Sequence, residues 1–326
     1  MDQIKEKINN SKNVLLHCHV SPDPDSVGSS LAMKLALEQL GKKVTLIRGD
    51  SEISKAFHFP GIDTITQKNF FEIDLNDFDL FIILDSGSKD RISTKAEIIF
   101  PDNLITIVID HHASNAGYAS INFIDSSYSS TCEILFNLFK VLGVEINHDI
   151  ALNLFIGMYT DTGAFRYGVN GDRTLKIASE LASIAPDYQK IISIMENSNR
   201  KESLIFESLM LSSIKTFFDD KLIIASVSYD DLMKNNISED DRFSGGIVNK
   251  LKSVVSTQIA VTIIEVEPNK LKLSFRSKDS ELFDVSKITL ALGGGGHKSA
   301  AGAGLSMSVS EAIEKVVMLT KEIYNL

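Results

Sequence analysis

Three short apolar runs, each ending on acids or imidazoles, restrict what this chain can fold into more than any other feature it has. Asn13–Cys18 (NVLLHC) is followed by His19, Asp23 and Asp25, then by Gly28 and Ser29. Asp79–Leu84 (DLFIIL) runs straight into Asp85-Ser86-Gly87, and Leu104–Ile109 (LITIVI) into Asp110-His111-His112. The runs are short and rich in β-branched residues, as buried strands are. Between them lie helical patterns, such as Ser29–Leu40 ended by Gly41, and one further strand, Lys43–Ile47. Continuous apolar strands separated by helical segments predict a parallel sheet covered on both faces. Ligands of open parallel sheets bind beyond the carboxyl ends of the strands. Three strand ends therefore deliver acids and imidazoles to one crevice.

Further along, Ser130–Leu142 and Asp149–Tyr159 read as helices. Pro186 follows an apolar helix and precedes a long helical stretch, Tyr188–Phe217, whose middle, Glu196–Glu202, is polar. From Lys221 the strand pattern restarts near Leu222–Ser228, Thr257–Glu265 and Lys270–Arg276. A last helix follows Ser308, where Ser308 and Glu311 have the spacing of a capping box. The expected α/β architecture is an N-terminal domain over 1–186, with a mostly parallel sheet covered by helices. A helical connector over 187–217 and a smaller C-terminal α/β domain over 218–326 complete it. With 326 residues, 44% apolar and 23% charged, the chain has the composition of a globular protein of two domains.

No run approaches the roughly 18–20 uninterrupted apolar residues of a membrane span, and no signal peptide is evident. Cys18 and Cys132 form no C-x-x-C pair, so a reducing, cytoplasmic setting without a disulfide framework is expected. The net charge of −10 argues against a long, sequence-independent grip on polymeric nucleic acid. It leaves small phosphorylated substrates open.

So many carboxylates at one crevice cannot all ionise without compensation, and cations supply it. Aspartate oxygens with some imidazole nitrogen and no thiolate suit manganese best, with magnesium as the alternative. More ligands than one octahedral ion needs imply two ions, and an ion pair of that kind hydrolyses phosphoesters. Each residue also has a plainer reading. Asp85 and Asp161 alone are ordinary caps, Asp110-His111-His112 alone is a surface turn, and the glycines Gly293–Gly296 alone are a loop. Arg276 alone is an exposed edge residue. His17 is expected to be packed, His58 and His148 to lie on the surface, Cys132 in the core, and Glu239-Asp240-Asp241 in a solvated turn. The glycine run gains meaning from His297 immediately after it, because glycines let backbone N–H groups approach phosphate or ribose closely.

In order, HVSPDPDSVGS, LDS, DHHASN and YTDTGAF resemble the four motifs of the DHH phosphoesterase superfamily. Gly293-Gly-Gly-Gly-His297 resembles the GGGH signature of its DHH-associated C-terminal domain, in the form found in nanoRNase/pAp phosphatases. The resemblance spans His19 to Gly302. It implies one divalent ion held by His19, Asp23 and Asp85, and a second by Asp25, Asp85, His111 and Asp161, with Asp85 bridging. It implies catalytic roles for His112, facing the scissile phosphate, and for Asp110, orienting the histidine pair. Asn115 matches a phosphate-contacting position, and Arg276, Gly294, Gly295, Gly296 and His297 a substrate-binding set. Pro24, between Asp23 and Asp25, stands where the family has a small residue.

The implied activity is hydrolysis of short oligoribonucleotides to nucleoside 5'-monophosphates and of pAp to AMP, by water activated between two metal ions. The implied partners are short RNA, pAp or linear dinucleotides, without long nucleic acid or membrane; a homodimer is compatible. A phosphodiesterase for linear dinucleotides of the pApA type is the alternative, and a nucleotide-binding protein with a decayed site is a third reading. No ligand position is missing. Family II inorganic pyrophosphatases lack the glycine signature, and few residues follow His297, so a RecJ-like extra module is not expected.

Overall fold

The computed structural model describes residues 1–54, 57–242 and 244–326. They form two compact units, Met1–Ser198 and Asn199–Leu326. The first unit runs α1 (Asp2–Asn10), β1 (Asn13–His17), α2 (Pro24–Gln39), β2 (Lys43–Ile47), β3 (Leu80–Leu84), β4 (Ile105–Asp110) and β5 (Ile121–Ile124), then α3 (Thr131–Leu142), α4 (His148–Asp161), α5 (Gly171–Ile184) and α6 (Tyr188–Glu196). Its strands stand in the order β2-β1-β3-β4-β5, and every pairing is parallel. From β1 the chain turns to one side for β2 and returns on the other side for β3. The cleft that opens at such a reversal is where sheets of this kind bind ligands. His19 follows β1 and Asp85 follows β3, so the two flank it.

Helix α2 begins at Pro24, earlier than the expected Ser29. The Asp23 side chain accepts the amide of Ser26 at 3.0 Å as the N-cap, and a proline in the first turn gives up an N–H that has no helical partner. Pro24 thus starts the helix that buries Asp25, which is 1% exposed. Helices α2, α3 and α4 pack Leu31, Leu135, Ile150 and Leu154 against Val14, Leu16, Ile82 and Ile107 on one face of the sheet. Gly28 permits the approach of α2 to α4, since a Cβ there would lie 2.5 Å from the Asn153 carbonyl oxygen. The opposite face, with Leu15, Phe81, Ile83 and Val108, is closed by irregular segments carrying Phe70, Ile92, Ile98 and Leu104. Among the described residues, helices cover one face only, because those segments present single apolar anchors and form short 3-10 turns.

The second unit contains α7 (Lys201–Ser212), β6 (Lys215–Phe217), β7 (Leu222–Val227), α8 (Tyr229–Lys234), α9 (Ser244–Lys252), β8 (Ile259–Glu267), β9 (Lys270–Ser277), α10 (Val285–Ala291), β10 (Gly295–His297), β11 (Ala300–Ser306) and α11 (Val309–Tyr324). Its mixed sheet has the order β10-β11-β9-β8-β7-β6, with α10 and α11 against Phe275 and Val261 on one face and α7 and α9 against Ala260 and Ile264 on the other. Ser308 and Glu311 form their capping box at the start of α11.

The stretch Tyr188–Phe217 is two helices and a strand. Ile191, Ile192 and Met195 of α6 cover the first core, whereas Phe206 and Met210 of α7 are buried in the second unit. The polar residues between them break the helix, because neither core offers them a surface. Asp241 also departs from its expected solvated turn. It is 1% exposed and accepts the Ser238 amide and hydroxyl at 2.9 and 2.6 Å.

Candidate active site

At the end of β1, His19 is 1% exposed. Its Nδ1 lies 2.9 Å from the Val20 carbonyl oxygen and donates to it, which leaves Nε2 as the ring atom that faces the cluster. That Nε2 lies 3.4 Å from Asp23 Oδ2 and 3.5 Å from Asp85 Oδ2. At the end of β3, Asp85 has φ 53°, a left-handed conformation that aspartate tolerates better than most residues. The turn aims its carboxylate back across the strand ends while its amide still donates to the Ile109 carbonyl at 3.1 Å. Asp85 Oδ1 lies 3.5 Å from His111 Nε2, which in turn lies 3.5 Å from Asp161 Oδ2 at the end of α4. Each oxygen of Asp85 therefore faces a different histidine. Three sets of side chains, His19–Asp23–Asp85, Asp25–His111–Asp161 and Asp85–His111–His112, each place their ligand atoms within 4.8 Å of one another.

Such spacing fits divalent cations, and the proton balance agrees. Burial works against the charged form of His19, but Asp23 and Asp85 outweigh it and hold the imidazole up at about 9. His111 is also opposed by burial and is carried to about 10 by Asp85, Asp25 and Asp161. Burial and the carboxylates of Asp85 and Asp161 push Asp25 well above the usual range, and burial lifts Asp161 to about 6. Asp85 moves the other way, below the normal range, because His111 and His19 overcome its burial. Without cations, then, the cluster keeps protons on groups whose lone pairs point inward. Divalent ions would replace those protons.

Asp110, fully buried, forms the second layer of contacts. Its Oδ1 accepts the amides of His111 and His112 at 2.9 and 3.3 Å and the His112 Nδ1–H at 2.7 Å. This fixes the His112 tautomer and leaves its Nε2 outward on a side chain that is 44% exposed. Asp110 also raises the His112 pKa. Asn115, expected to contact phosphate, is otherwise engaged: its Nδ2 donates to Asp110 Oδ2 at 2.7 Å and to the Ser86 carbonyl at 3.1 Å. In this structure it braces Asp110. His17 is buried against Phe81, and burial pushes it down to about 3, so it is a neutral, packed histidine. His58 and His148 are exposed.

In the second unit, strand register brings two expected residues into one row. His297 pairs with Ala300, and Ala300 with Arg276, so both side chains stand on the same face with a small residue between them. Arg276 is half-buried and makes no ion pair among the described residues. Gly295 shares that face and is open, with nothing within 4 Å of where a Cβ would stand. Gly294 and Gly296 have a packing reason instead. A Cβ on Gly294 would strike the Gly302 carbonyl, and one on Gly296, where φ is +137°, would lie 2.5 Å from Ala301 Cα.

The family model for the DHH family, N-terminal domain, matches residues 13–158, and the DHHA1 domain matches residues 219–325. The chain carries a DHH domain and a DHHA1 domain. A bifunctional oligoribonuclease and PAP phosphatase NrnA from Thermus thermophilus is 27% identical over 312 residues, 95% of this chain and 89% of the relative. The protein of the same name from Bacillus subtilis is 25% identical over 300 residues, 90% of this chain and 89% of its own length. An exopolyphosphatase-related protein from Bacteroides fragilis superposes with a TM-score of 0.90 at 26% identity, covering 99% of this chain and 96% of that one. No helix among the described residues is long and apolar enough to cross a membrane.

Within the DHH unit, the structure adds residues that sequence reasoning passed over. The first amides of α3, from Thr131 and Cys132, donate to Asp25 Oδ2 and Oδ1 at 2.7 and 3.1 Å. The Thr131 hydroxyl donates to Asp85 Oδ1 at 3.1 Å. In the sequence, Thr131 and Cys132 stood only at the start of an expected helix, Ser130–Leu142. Gly157 of α4 lies against the same carboxylate: a Cβ there would sit 3.0 Å from Asp25 Oδ1 and collide with Cys132 Sγ. It stood inside an apolar helix with no motif to mark it.

Proposed function

We propose that this chain is a metal-dependent phosphoesterase that hydrolyses short oligoribonucleotides to nucleoside 5'-monophosphates and pAp to AMP. The observation that carries the reading is Asp85, whose two oxygens face His19 and His111 in two adjoining ligand sets. Relatives named oligoribonuclease and PAP phosphatase, aligned along nearly their whole length, support the substrate class. His19, Asp23 and Asp85 would hold one ion, and Asp25, Asp85, His111 and Asp161 a second. Divalent ions there, manganese preferred over magnesium, would lower the pKa of water and neutralise phosphate charge.

The chain's own groups do the remaining work. Asp110 keeps Nδ1–H of His112 engaged, so Nε2 is the atom that meets the phosphate, and the raised pKa favours its donating a proton there. Helix α3 fixes Asp25 from behind through two backbone amides, which orients the carboxylate without a flexible partner. Arg276, Gly295 and His297 offer a cation, an open backbone and an imidazole for the substrate. The partners are short RNA and pAp, in the cytoplasm, without long nucleic acid.

A substrate panel tests this: pAp, pApA, short RNAs, a cyclic dinucleotide and pyrophosphate, each with manganese and with magnesium. Turnover of pAp and short RNA that chelation abolishes and manganese restores is expected. Preference for pApA over every RNA oligomer would move the function to dinucleotide turnover, and full activity after chelation would remove the metal mechanism.

A further inference from the structure

We propose that Arg91 binds the scissile phosphate, its guanidinium moving from His19 to a non-bridging phosphate oxygen when the site is charged. The proposal rests on the phosphoesterase reading above and adds a residue that none of the motifs contains. Arg91 ends the 3-10 turn Lys89–Arg91 that follows β3. Its backbone is tied to the loop carrying His19, since the Val20 amide donates to the Arg91 carbonyl at 2.8 Å and the Arg91 amide donates to Ser88 at 3.1 Å. The root of the side chain is thus fixed beside the cluster, while among the described residues its end contacts a single one.

That residue is His19. Arg91 Nη2 lies 2.9 Å from His19 Nδ1 and 3.1 Å from Nε2. The Nδ1 hydrogen is directed at Val20, so Nε2 is the ring atom open to a metal ion, and it faces Asp23 and Asp85. A divalent ion held by Nε2 would bring a second positive charge to the imidazole that the guanidinium touches, and the two cations repel. When His19 becomes a ligand, the guanidinium is displaced from it, and a guanidinium cannot shed its charge. It is part-buried and makes no ion pair among the described residues, whereas Arg173 is held by Glu133 at 2.7 Å and Arg200 by Asp241 at 3.5 Å. An unpaired, part-buried cation needs an anion. A phosphoester brought to the same strand ends supplies one, and its oxygens match the planar fork of arginine better than the point charge of lysine.

Arg91→Lys and Arg91→Ala, with exposed Lys95→Ala as control, separate this from a role in merely orienting His19. Manganese is titrated into metal-free protein, and inorganic phosphate and AMP are then titrated into the manganese-loaded protein. Expected are manganese affinities equal to or tighter than wild type, with phosphate and AMP weakened by roughly ten- to a hundredfold in Arg91→Ala and less in Arg91→Lys. The KM for pAp should rise in the same order, and Lys95→Ala should match wild type. Unchanged phosphate and AMP affinity in Arg91→Lys and Arg91→Ala overturns the assignment. So does weakened manganese binding by Arg91→Lys with an intact circular dichroism spectrum, because Arg91 would then serve His19. Wild-type protein that turns over nothing in the substrate panel refutes the phosphoesterase reading instead, so the two failures are distinct.

Discussion

Asp85 joins the two halves of the cluster, and its neighbours show how much depends on one carboxylate. It faces two histidines and accepts the Thr131 hydroxyl from a left-handed turn at the strand end. Asp85→Asn keeps the size and the turn but removes the charge that both ions would share. Turnover should fall by at least about a hundredfold, the upper end of what loss of an outer partner alone does to a metal site, with the melting curve little changed. The comparison is Glu239→Gln, an exposed carboxylate in the second unit; equal activity in the two variants would refute the assignment. The adjacent histidines should separate in the same way. His111 Nε2 points into the cluster, whereas His112 engages Asp110 through Nδ1 and is 44% exposed. His111→Ala should weaken manganese titration, and His112→Ala should leave it near wild type while lowering kcat. Reversed titrations would invert the two roles.

At the scale of elements, the cluster depends on where helix ends and helix faces meet. The N-terminus of α3 presents two amides to Asp25, and its positive end favours the carboxylate. Helix α4 must pass close to the same group, and Gly157 allows it. Gly157→Ala would gain helix propensity yet force Cys132 and Asp25 to shift, so a net destabilisation of about 1–3 kcal/mol is expected. Its manganese affinity should fall together with stability, because the displaced group is one of the proposed ligands. Gly171→Ala, at the start of α5 with nothing near a Cβ, should be neutral or slightly stabilising in the same thermal melt. A Gly157→Ala protein with wild-type manganese affinity would show that α4 does not set the position of Asp25.

For the whole molecule, charge is expected to limit the length of substrate that can be held. A protein of net charge −10 gains little counterion release from phosphates lying beyond the few groups that contact its cations. Turnover should therefore fall steeply as RNA grows past a few nucleotides, and the salt dependence of KM should stay shallow and level off with length. A series of labelled oligomers at several salt concentrations measures both. Efficient, processive degradation of a long single strand would contradict this expectation.

What the sequence determined by itself is local in origin. Side-chain alternation and apolar runs mark strands without reference to distant partners, so the ends of β1, β3 and β4, with His19, Asp85 and Asp110–His112, were legible from spacing. The capping box at Ser308 was legible for the same reason. Tertiary structure decided what depends on partners distant along the chain. Thr131 reaches Asp25 across 106 positions and Arg91 reaches His19 across 72, and neither pairing leaves a periodic signal. Asn115 matched a phosphate-contacting position yet turned toward Asp110 and Ser86, because a buried amide takes the nearest acceptors the fold provides. Tyr188–Phe217 looked like one helical stretch because helix propensity does not record which core a residue will cover. Only packing divided it, sending Ile191 and Met195 to one unit and Phe206 and Met210 to the other.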